Sequence, residues 1–263
     1  MRESIMLKPG ARSQTLRWGL EILCLFSNEH PGWGITEIAQ KMGLQKGRIY
    51  RAVKTLEDAG FLRQDPLTRK YFLGLRTIEL GSLAARRIGL FAEARFHFAH
   101  LAAKTNATVY VCVWNGDANN VVVDSFEGPG FLRFYSPPGT RIPWSRGASS
   151  KLIHAYMPRE HAIEMIRKFG LPPHTERTIT DEAKFLKELA RIRRQGYSVS
   201  DGEGIPGVFA VSAPLLQRDG TFLAALAVAM IGAEVSRERC QEIIASVVAT
   251  AAEVTRLIKE GTG

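Results

Sequence analysis

Between Thr36 and Gly60 two stretches of helical periodicity meet at a single glycine, and few folds accommodate that pattern in so short a span. Thr36 is placed to cap a short helix that runs through Ile38, Ala39 and Met42 to Gly43. Ala39 is small where a second helix must come close. Leu44 leads into Gln45–Ala59, whose residues Ile49, Val53 and Leu56 form one apolar stripe, with Gly60 as the stop. Upstream, Leu16, Leu20, Leu23 and Phe26 recur at steps of four, three and three over Ser13–Asn28, and His30-Pro31-Gly32 ends that helix. Downstream, Phe61–Arg63 and Lys70–Leu73 are short strand-like runs around the turn Asp65–Thr68. The expectation is a helix-turn-helix followed by a hairpin wing.

At roughly 100° per residue, the face opposite the Ile49–Val53–Leu56 stripe carries Gly47, Arg51 and Lys54, flanked by Arg48 and Thr55, with Lys46 at the helix entrance. Guanidinium and ammonium groups on one exposed face suit a major groove, where Arg can bond guanine and Lys can meet phosphate. The candidate DNA-contacting residues are Thr36, Gln45, Lys46, Arg48, Tyr50, Arg51 and Lys54, with Arg69 near the wing tip. Charge distribution agrees. Residues 1–90 hold 15 Lys+Arg against 8 Asp+Glu, a net +7, which leaves 20 against 18, a net +2, for the rest of the 263 residues. The competing reading is a three-helix core with a merely solvated basic helix, in a small-molecule sensor or enzyme that uses it for protein contacts.

The chain has room for one large domain or two ordinary ones. Its longest apolar run, Phe222–Ile231, is about half of the roughly 20 residues a membrane helix needs and suits a buried strand. Met1–Gln14 has neither an apolar core segment nor a small-residue cleavage site. Cys24, Cys112 and Cys240 lie far apart, without disulfide or paired-thiol metal spacing, so a reducing, cytoplasmic setting is expected.

Leu75–Phe98 carries helical periodicity through Leu75, Ile78, Ser82 and Ala85, as a connecting helix would. Beyond it, strand-like runs at Val109–Trp114, Val121–Phe126, Phe131–Tyr135, Val208–Leu216 and Phe222–Ile231 are separated by helical ones, most clearly Thr180–Gln195 and Ser236–Lys259. The pattern predicts an α+β protein of two domains whose larger domain has a mainly antiparallel sheet. The expected boundaries are 1–74 for the winged helix-turn-helix with an N-terminal arm, 75–91 for the linker helix and 92–263 for the remainder.

Thr36-Glu37-Ile38-Ala39, Gly43-Leu44, Arg51, Thr55-Leu56-Glu57, Gly60-Phe61-Leu62 and Tyr71-Phe72-Leu73-Gly74 together resemble the DNA-binding domain of the IclR family of bacterial transcriptional regulators. The resemblance continues through Pro143–Lys151 with Leu152–Ala155, Arg177–Asp181, Gly196–Asp201, Glu203–Val208 and Ser212-Ala213-Pro214, which look like that family's GAF-like effector domain. It implies a double-stranded DNA operator, a small organic acid effector, pairing as a dimer or on to a tetramer, and no cofactor. The implied effector pocket is lined by Gly147, Ala148 and Ser149, by Ser200 and Asp201, and by Ala210, Ala227 and Ala229, with Trp144, Phe131 and Tyr135 as candidate walls. Gly47 and Arg48 depart from the small hydroxyl residues usual at the start of the recognition helix. Three alanines and Ser200 likewise replace polar residues of members that bind small oxoacids. Alanine cannot pair a ligand oxygen, and an unpaired buried polar group costs about 1–3 kcal/mol. A larger, partly apolar carboxylate is expected, oriented by Ser149, nearby backbone N–H groups and Arg141.

Other signals are weaker. Gly202-Glu203-Gly204-Ile205-Pro206-Gly207 fits G-x-G-x-x-G but runs into a strand, the reverse of a dinucleotide site. Glu93, His97 and His100 share a helical face and could hold a metal with one more ligand, although a solvated polar face is commoner. Ser149-Ser150-Lys151 misses the S-x-x-K spacing, because Ala148 stands where Ser is needed, and no catalytic residues are expected.

Overall fold

Helix α1 (Gln14–Leu23) starts where the Ser13 hydroxyl accepts a hydrogen bond from the Leu16 N–H, at 3.4 Å. The computed structural model describes residues 13–27, 29–87, 94–130, 134–231 and 235–260. The helix is shorter than its periodicity suggests, and its inward edge is rotated. Leu16 is 63% exposed and Leu20 44%, while Ile22 is fully buried. The edge facing the core runs through Trp18, Gly19, Ile22, Leu23 and Phe26. Periodicity identifies an apolar helix but not which of two adjacent apolar edges a small core accepts.

Helix α2 (Ile35–Met42) is capped by Gly34, whose N–H donates to Glu37 Oε2 at 2.7 Å. Thr36 is therefore an exposed first-turn residue and not the cap. The start is fixed two residues earlier because Trp33 pairs with Tyr71 through two backbone hydrogen bonds of 3.0 and 2.8 Å. Gly43, at φ 64°, ends α2 in the left-handed region that glycine enters freely, and the Leu44 N–H closes the cap on the Ala39 carbonyl. Helix α3 (Lys46–Asp58) buries Ile49, Ala52 and Val53 against Ile22, Ile38, Ala39, Leu62 and Tyr71. Strands β1 (Leu62–Gln64) and β2 (Tyr71–Leu73) then form the antiparallel wing, with Arg63 opposite Phe72. The helical segment expected to reach Phe98 divides into α4 (Leu75–Arg87) and α5 (Arg95–Thr105), and residues 88–93 lie outside the described ones.

The chain separates into two compact units, Met1–Gly89 and Leu90–Gly263. The second contains a six-stranded sheet built from β3 (Thr108–Trp114), β4 (Asn119–Phe126), β5 (Arg141–Pro143), β6 (Ser198–Asp201), β7 (Val208–Leu216) and β8 (Phe222–Ile231). Their order is β5-β4-β3-β8-β7-β6, and each neighbouring pair is antiparallel. Residues 131–133 of the expected strand Phe131–Tyr135 lie outside the described ones, and Phe134 and Tyr135 are not in a strand. Pro137 and Pro138 follow at once and cannot donate to a ladder.

Alternation assigns the two faces of the sheet. Val109, Val111, Phe209, Val211, Leu226 and Val228 point toward α5 and the long C-terminal helix α9 (Arg237–Glu260). Tyr110, Cys112, Ala210, Ala225, Ala227 and Ala229 point toward α6 (Gly147–Ala155), α7 (Arg159–Phe169) and α8 (Glu182–Gln195). All of α6 except its first residue is buried, so it fits only against small side chains on the sheet.

On α6, His154 is buried among Trp144, Trp114 and His161, with ring centroids 5.2, 6.2 and 5.3 Å away. Neither of its ring nitrogens has a hydrogen-bond partner among the described residues. Burial pushes its pKa down to about 3, so the folded protein holds a neutral imidazole. The unfolded chain takes up a proton near pH 6.5 and the folded one does not. Folding stability is therefore retained above that pH and lost as pH falls toward 3. In urea denaturation between pH 6 and 4, His154 contributes a slope approaching about 1.4 kcal/mol per pH unit. His154→Phe is expected to remove that contribution and to leave stability at pH 7.5 level or higher.

Candidate functional site

The first candidate surface is the outer face of α3. Gln45, Lys46, Arg48, Tyr50 and Arg51 are exposed, opposite the buried Ile49, Ala52 and Val53. A side chain built at Gly47 would meet nothing within 4 Å, so the helix entrance is open. The Arg48 guanidinium lies over the Trp18 ring at 5.5 Å, which fixes its stem while leaving donors outward. Lys54 differs from the expectation. It is partly buried, and its ammonium is held by Glu57 at 2.6 Å, one turn further along the helix.

The wing presents Arg69 through an Asp65 turn. One Asp65 carboxylate oxygen accepts from the Leu67 N–H (2.9 Å), the Thr68 N–H (2.7 Å) and the Thr68 hydroxyl (3.0 Å). These bonds hold the carboxyl below its ordinary pKa. Arg69 follows at φ 59°, a left-handed backbone that is unusual for a side-chain-bearing residue and turns its exposed guanidinium at the hairpin tip. Lys70 bridges to Glu37 of α2 at 3.2 Å and ties the wing to the first helix of the motif.

The second candidate site lies on the α6 face of the sheet in the other unit. Cross-strand register places Ser200, Ala210, Ala229 and Thr108 in one row, and Ser198, Ser212, Ala227 and Tyr110 in the next. The Tyr110 hydroxyl and Ser149 Oγ are 3.3 Å apart, and Ser149 partly offsets the effect of burial on the Cys112 thiol. Burial raises both the Tyr110 phenol and the Cys112 thiol to about 12, so both stay protonated. The chain enters α6 through Gly147 at φ 76°, which requires glycine, and a Cβ there would lie 3.9 Å from Ser200 Oγ. The buried hydroxyls of Thr108 and Ser198 have no hydrogen-bond partner among the described residues. At the end of β8 a cavity of about 390 Å³ is lined by Thr105, Asn106 and Arg239 from the α5 and α9 side together with Thr108, Phe134 and Ala229, and Ala229 is the one expected effector residue in its lining.

Several expected lining residues take other places. Strand alternation puts Ser200 and Asp201 on opposite faces; Asp201 pairs with Phe209, is exposed, and forms an ion pair with Arg177 at 2.6 Å. Trp144 is buried edge-on to His154 and Phe185. Tyr135 is 71% exposed and is not a wall, and Phe131 lies outside the described residues. Arg141 bonds Asp117 at 2.7 Å on the surface. Arg146, which the sequence reading passed over, is the cation at the entrance of α6. It caps α6, is half-buried, and interacts electrostatically with Tyr110 and His174. Its only sequence signal was a basic residue immediately before the Gly147 turn.

Lys151 secures the roof over these rows. Its ammonium is 1% exposed, and it is held by Glu203 at 2.7 Å, Glu188 at 3.4 Å and the Val199 carbonyl at 2.9 Å. The Glu203 carbonyl in turn accepts from the hydroxyls of Thr178 (2.7 Å) and Thr175 (3.2 Å). The glycine-rich run 202–207 thus forms the β6–β7 loop. Ser150 donates to the Pro143 carbonyl and accepts from Asn120, both at 2.9 Å, so its hydroxyl is engaged structurally. Of the possible metal trio, Glu93 lies outside the described residues, His97 faces Glu253 at 3.5 Å, and His100 stacks on Phe96.

A winged helix-turn-helix with an exposed cationic reading face, joined to a separate α/β unit, is the architecture of a DNA-binding transcriptional regulator. Residues 15–66 match the IclR helix-turn-helix domain, and residues 82–256 match the bacterial transcriptional regulator IclR C-terminal domain. The chain belongs to the IclR family of transcriptional regulators. It is 29% identical over 212 residues to the HTH-type transcriptional regulator KdgR of Escherichia coli, covering 81% of this chain and 80% of that protein. It is 28% identical over 221 residues to the p-hydroxybenzoate hydroxylase transcriptional activator of Acinetobacter baylyi, covering 79% and 78%. An IclR transcriptional regulator structure from Alicyclobacillus acidocaldarius superposes with a TM-score of 0.84 at 27% identity, covering 94% of this chain and 99% of that one.

Removing the buried Lys151 charge is expected to be costly, because Glu203 would lose its ion pair in a buried setting, whereas Glu188 keeps Arg191 at 2.7 Å. Lys151→Met should lower the unfolding free energy by about 3–5 kcal/mol, the range for breaking a buried ion pair from one side. The pair Lys151→Met with Glu203→Leu should recover part of the loss. Chemical denaturation of the three proteins measures both effects, and an unchanged single variant would show that the bridge carries no stability.

Proposed function

We propose that the α3 face and the wing read a double-stranded DNA operator, and that a small organic acid bound over the α6 face of the C-terminal sheet changes operator affinity. The observation that carries the first part is the coincidence of exposed Gln45, Lys46, Arg48, Tyr50 and Arg51 on one side of a helix whose other side is core. Thr36, at the start of α2, and Arg69, at the wing tip, flank that face and are assigned phosphate contacts. Arg51 is assigned to base edges and Lys46 to phosphate, while Lys54 is a weaker contributor because Glu57 already neutralises it.

The effector reading is supported by the convergence of Gly147, Ala148, Ser149, Ser200, Ala210, Ala227 and Ala229 on one side of the sheet, with Trp144 in the adjoining cluster. The alanines offer shape and no hydrogen bonds, which favours an acid with a larger, partly apolar body over a two- or three-carbon oxoacid. Binding acts by linkage: the acid favours one arrangement of paired subunits, in a dimer or tetramer, and that arrangement sets half-site spacing and operator affinity. A regulator of chromosomal DNA works in the cytoplasm, and no helix among the described residues is long and apolar enough to cross a membrane.

Operator titrations across a salt series test the reading. Log affinity should fall steeply with log salt. Arg51→Ala should cost about 1–3 kcal/mol and relax sequence preference, and Lys46→Ala should reduce the salt slope by about 1 without altering preference. Lys54→Ala should have the smallest effect of the three. A shallow slope with all three variants binding as the parent does would favour a module that contacts protein.

A further inference from the structure

Arg146 is the unusual cation of the C-terminal unit. The other buried or half-buried cationic side chains among the described residues of this unit have anionic partners: Lys151 has Glu203 and Glu188, and Arg239 has Glu242. Arg146 has no ion pair or side-chain hydrogen bond among the described residues, and its electrostatic neighbours are a phenol and an imidazole, Tyr110 and His174. Burial holds its guanidinium below the ordinary pKa without bringing it anywhere near neutrality.

Its position is tightly defined. Arg146 caps α6, its backbone N–H donates to the Pro143 carbonyl at 3.0 Å, and its Cγ would lie 3.0 Å from a Cβ built on Gly204. The stem therefore runs between the α6 entrance and the loop that Lys151 fastens down. The Tyr110–Ser149 hydroxyl pair is beside it, and His174 Nε2 is buried without a partner. Two further unpartnered hydroxyls, those of the buried Thr108 and Ser198, stand on the same face of the sheet. A half-removed charge without a counter-ion is a cost that a bound anion would relieve, and a planar guanidinium matches a carboxylate through two parallel bonds.

We infer that Arg146 is the carboxylate-binding residue of the effector site, and that the site takes a monocarboxylic acid whose apolar body lies over the Ala210–Ala229 row. The inference rests on the effector reading given above and goes beyond it by fixing the anionic end of the ligand and its partner. One guanidinium with alanines beyond it accommodates one carboxylate. A dicarboxylate would place its second charge over rows that offer alanines and the hydroxyls of Ser200, Thr108 and Ser198 but no second cation.

The test compares acids with their neutral isosteres on the full chain. Calorimetric titrations use benzoate, phenylacetate and 3-phenylpropionate, each beside its primary amide, which keeps shape and removes charge. The parent protein is expected to bind at least one acid tenfold or more tighter than its amide. Arg146→Gln is expected to reduce that preference to less than threefold while leaving amide binding unchanged, and Arg146→Lys should keep part of it. Because the guanidinium is unpaired, the melting temperature of ligand-free Arg146→Gln should equal or exceed that of the parent; a fall of several degrees would show a structural role and overturn the inference. Acid preference that survives in Arg146→Gln would overturn it too, while leaving the organic-acid reading intact. A parent protein that binds none of the acids, or binds amides equally well, would overturn both.

Discussion

The α6 side of the C-terminal unit depends on one buried ammonium group. Lys151 is 1% exposed and gathers Glu188 from α8, Glu203 from the β6–β7 loop and the Val199 carbonyl from β6. Without it, the Glu203 carboxylate would be left unpaired in a poorly solvated space while Glu188 kept only Arg191, so these elements must close around it together. That closure brings the Glu203 carbonyl to Thr175 and Thr178, and it lays Gly204 across the Arg146 stem. The candidate effector site is thus framed by a structural ion network and does not itself supply the stability that holds its walls.

The same face shows why small residues serve two ends. Ala225 and Ala227 allow α6 to approach the sheet, and a helix buried nearly all round needs that clearance along its whole length. Toward the α6 entrance the row Ser200–Ala210–Ala229–Thr108 remains small, while the helix gives way to the Gly147 turn. Packing alone explains the alanines beneath the helix; it does not explain the partnerless hydroxyls of Thr108 in the outer row and Ser198 in the row beside it. The candidate ligand space lies where these two patterns diverge.

Much of the N-terminal unit was legible in the sequence because its signals are local. Gly43 and Gly60, the Ile49–Val53 stripe and the Asp65 turn each act over a few residues, and the observed elements fall within a few residues of their expected positions. Where the expectation failed, a longer-range contact decided. Trp33 pairing with Tyr71 moved the α2 cap from Thr36 to Gly34, and the small core selected Ile22 over Leu16 and Leu20. In the C-terminal unit the long strands and helices were legible, while ion pairing was not. Arg141 and Arg146 look alike in sequence, five residues apart, and only the fold places Asp117 beside one of them. Asp201 was misplaced for a simpler reason, since β6 was not recognised as a strand and its alternation could not be applied.

Three dispositions of positive charge organise the molecule. Lys46, Arg48 and Arg51 of α3 remain in water, where lacking a counter-ion costs almost nothing and leaves them available to a polyanion. Lys151 is fully enclosed and fully compensated within the chain. Arg146 is half enclosed and without a counter-ion among the described residues, the arrangement in which a small anion gains most, because the low-dielectric surroundings strengthen the pairing. In the proposed reading, operator recognition draws on cations that the fold leaves exposed, and effector recognition on one that it leaves unfinished. Both units use the same chemistry, and depth below the surface decides whether the partner is a phosphate backbone or a single carboxylate.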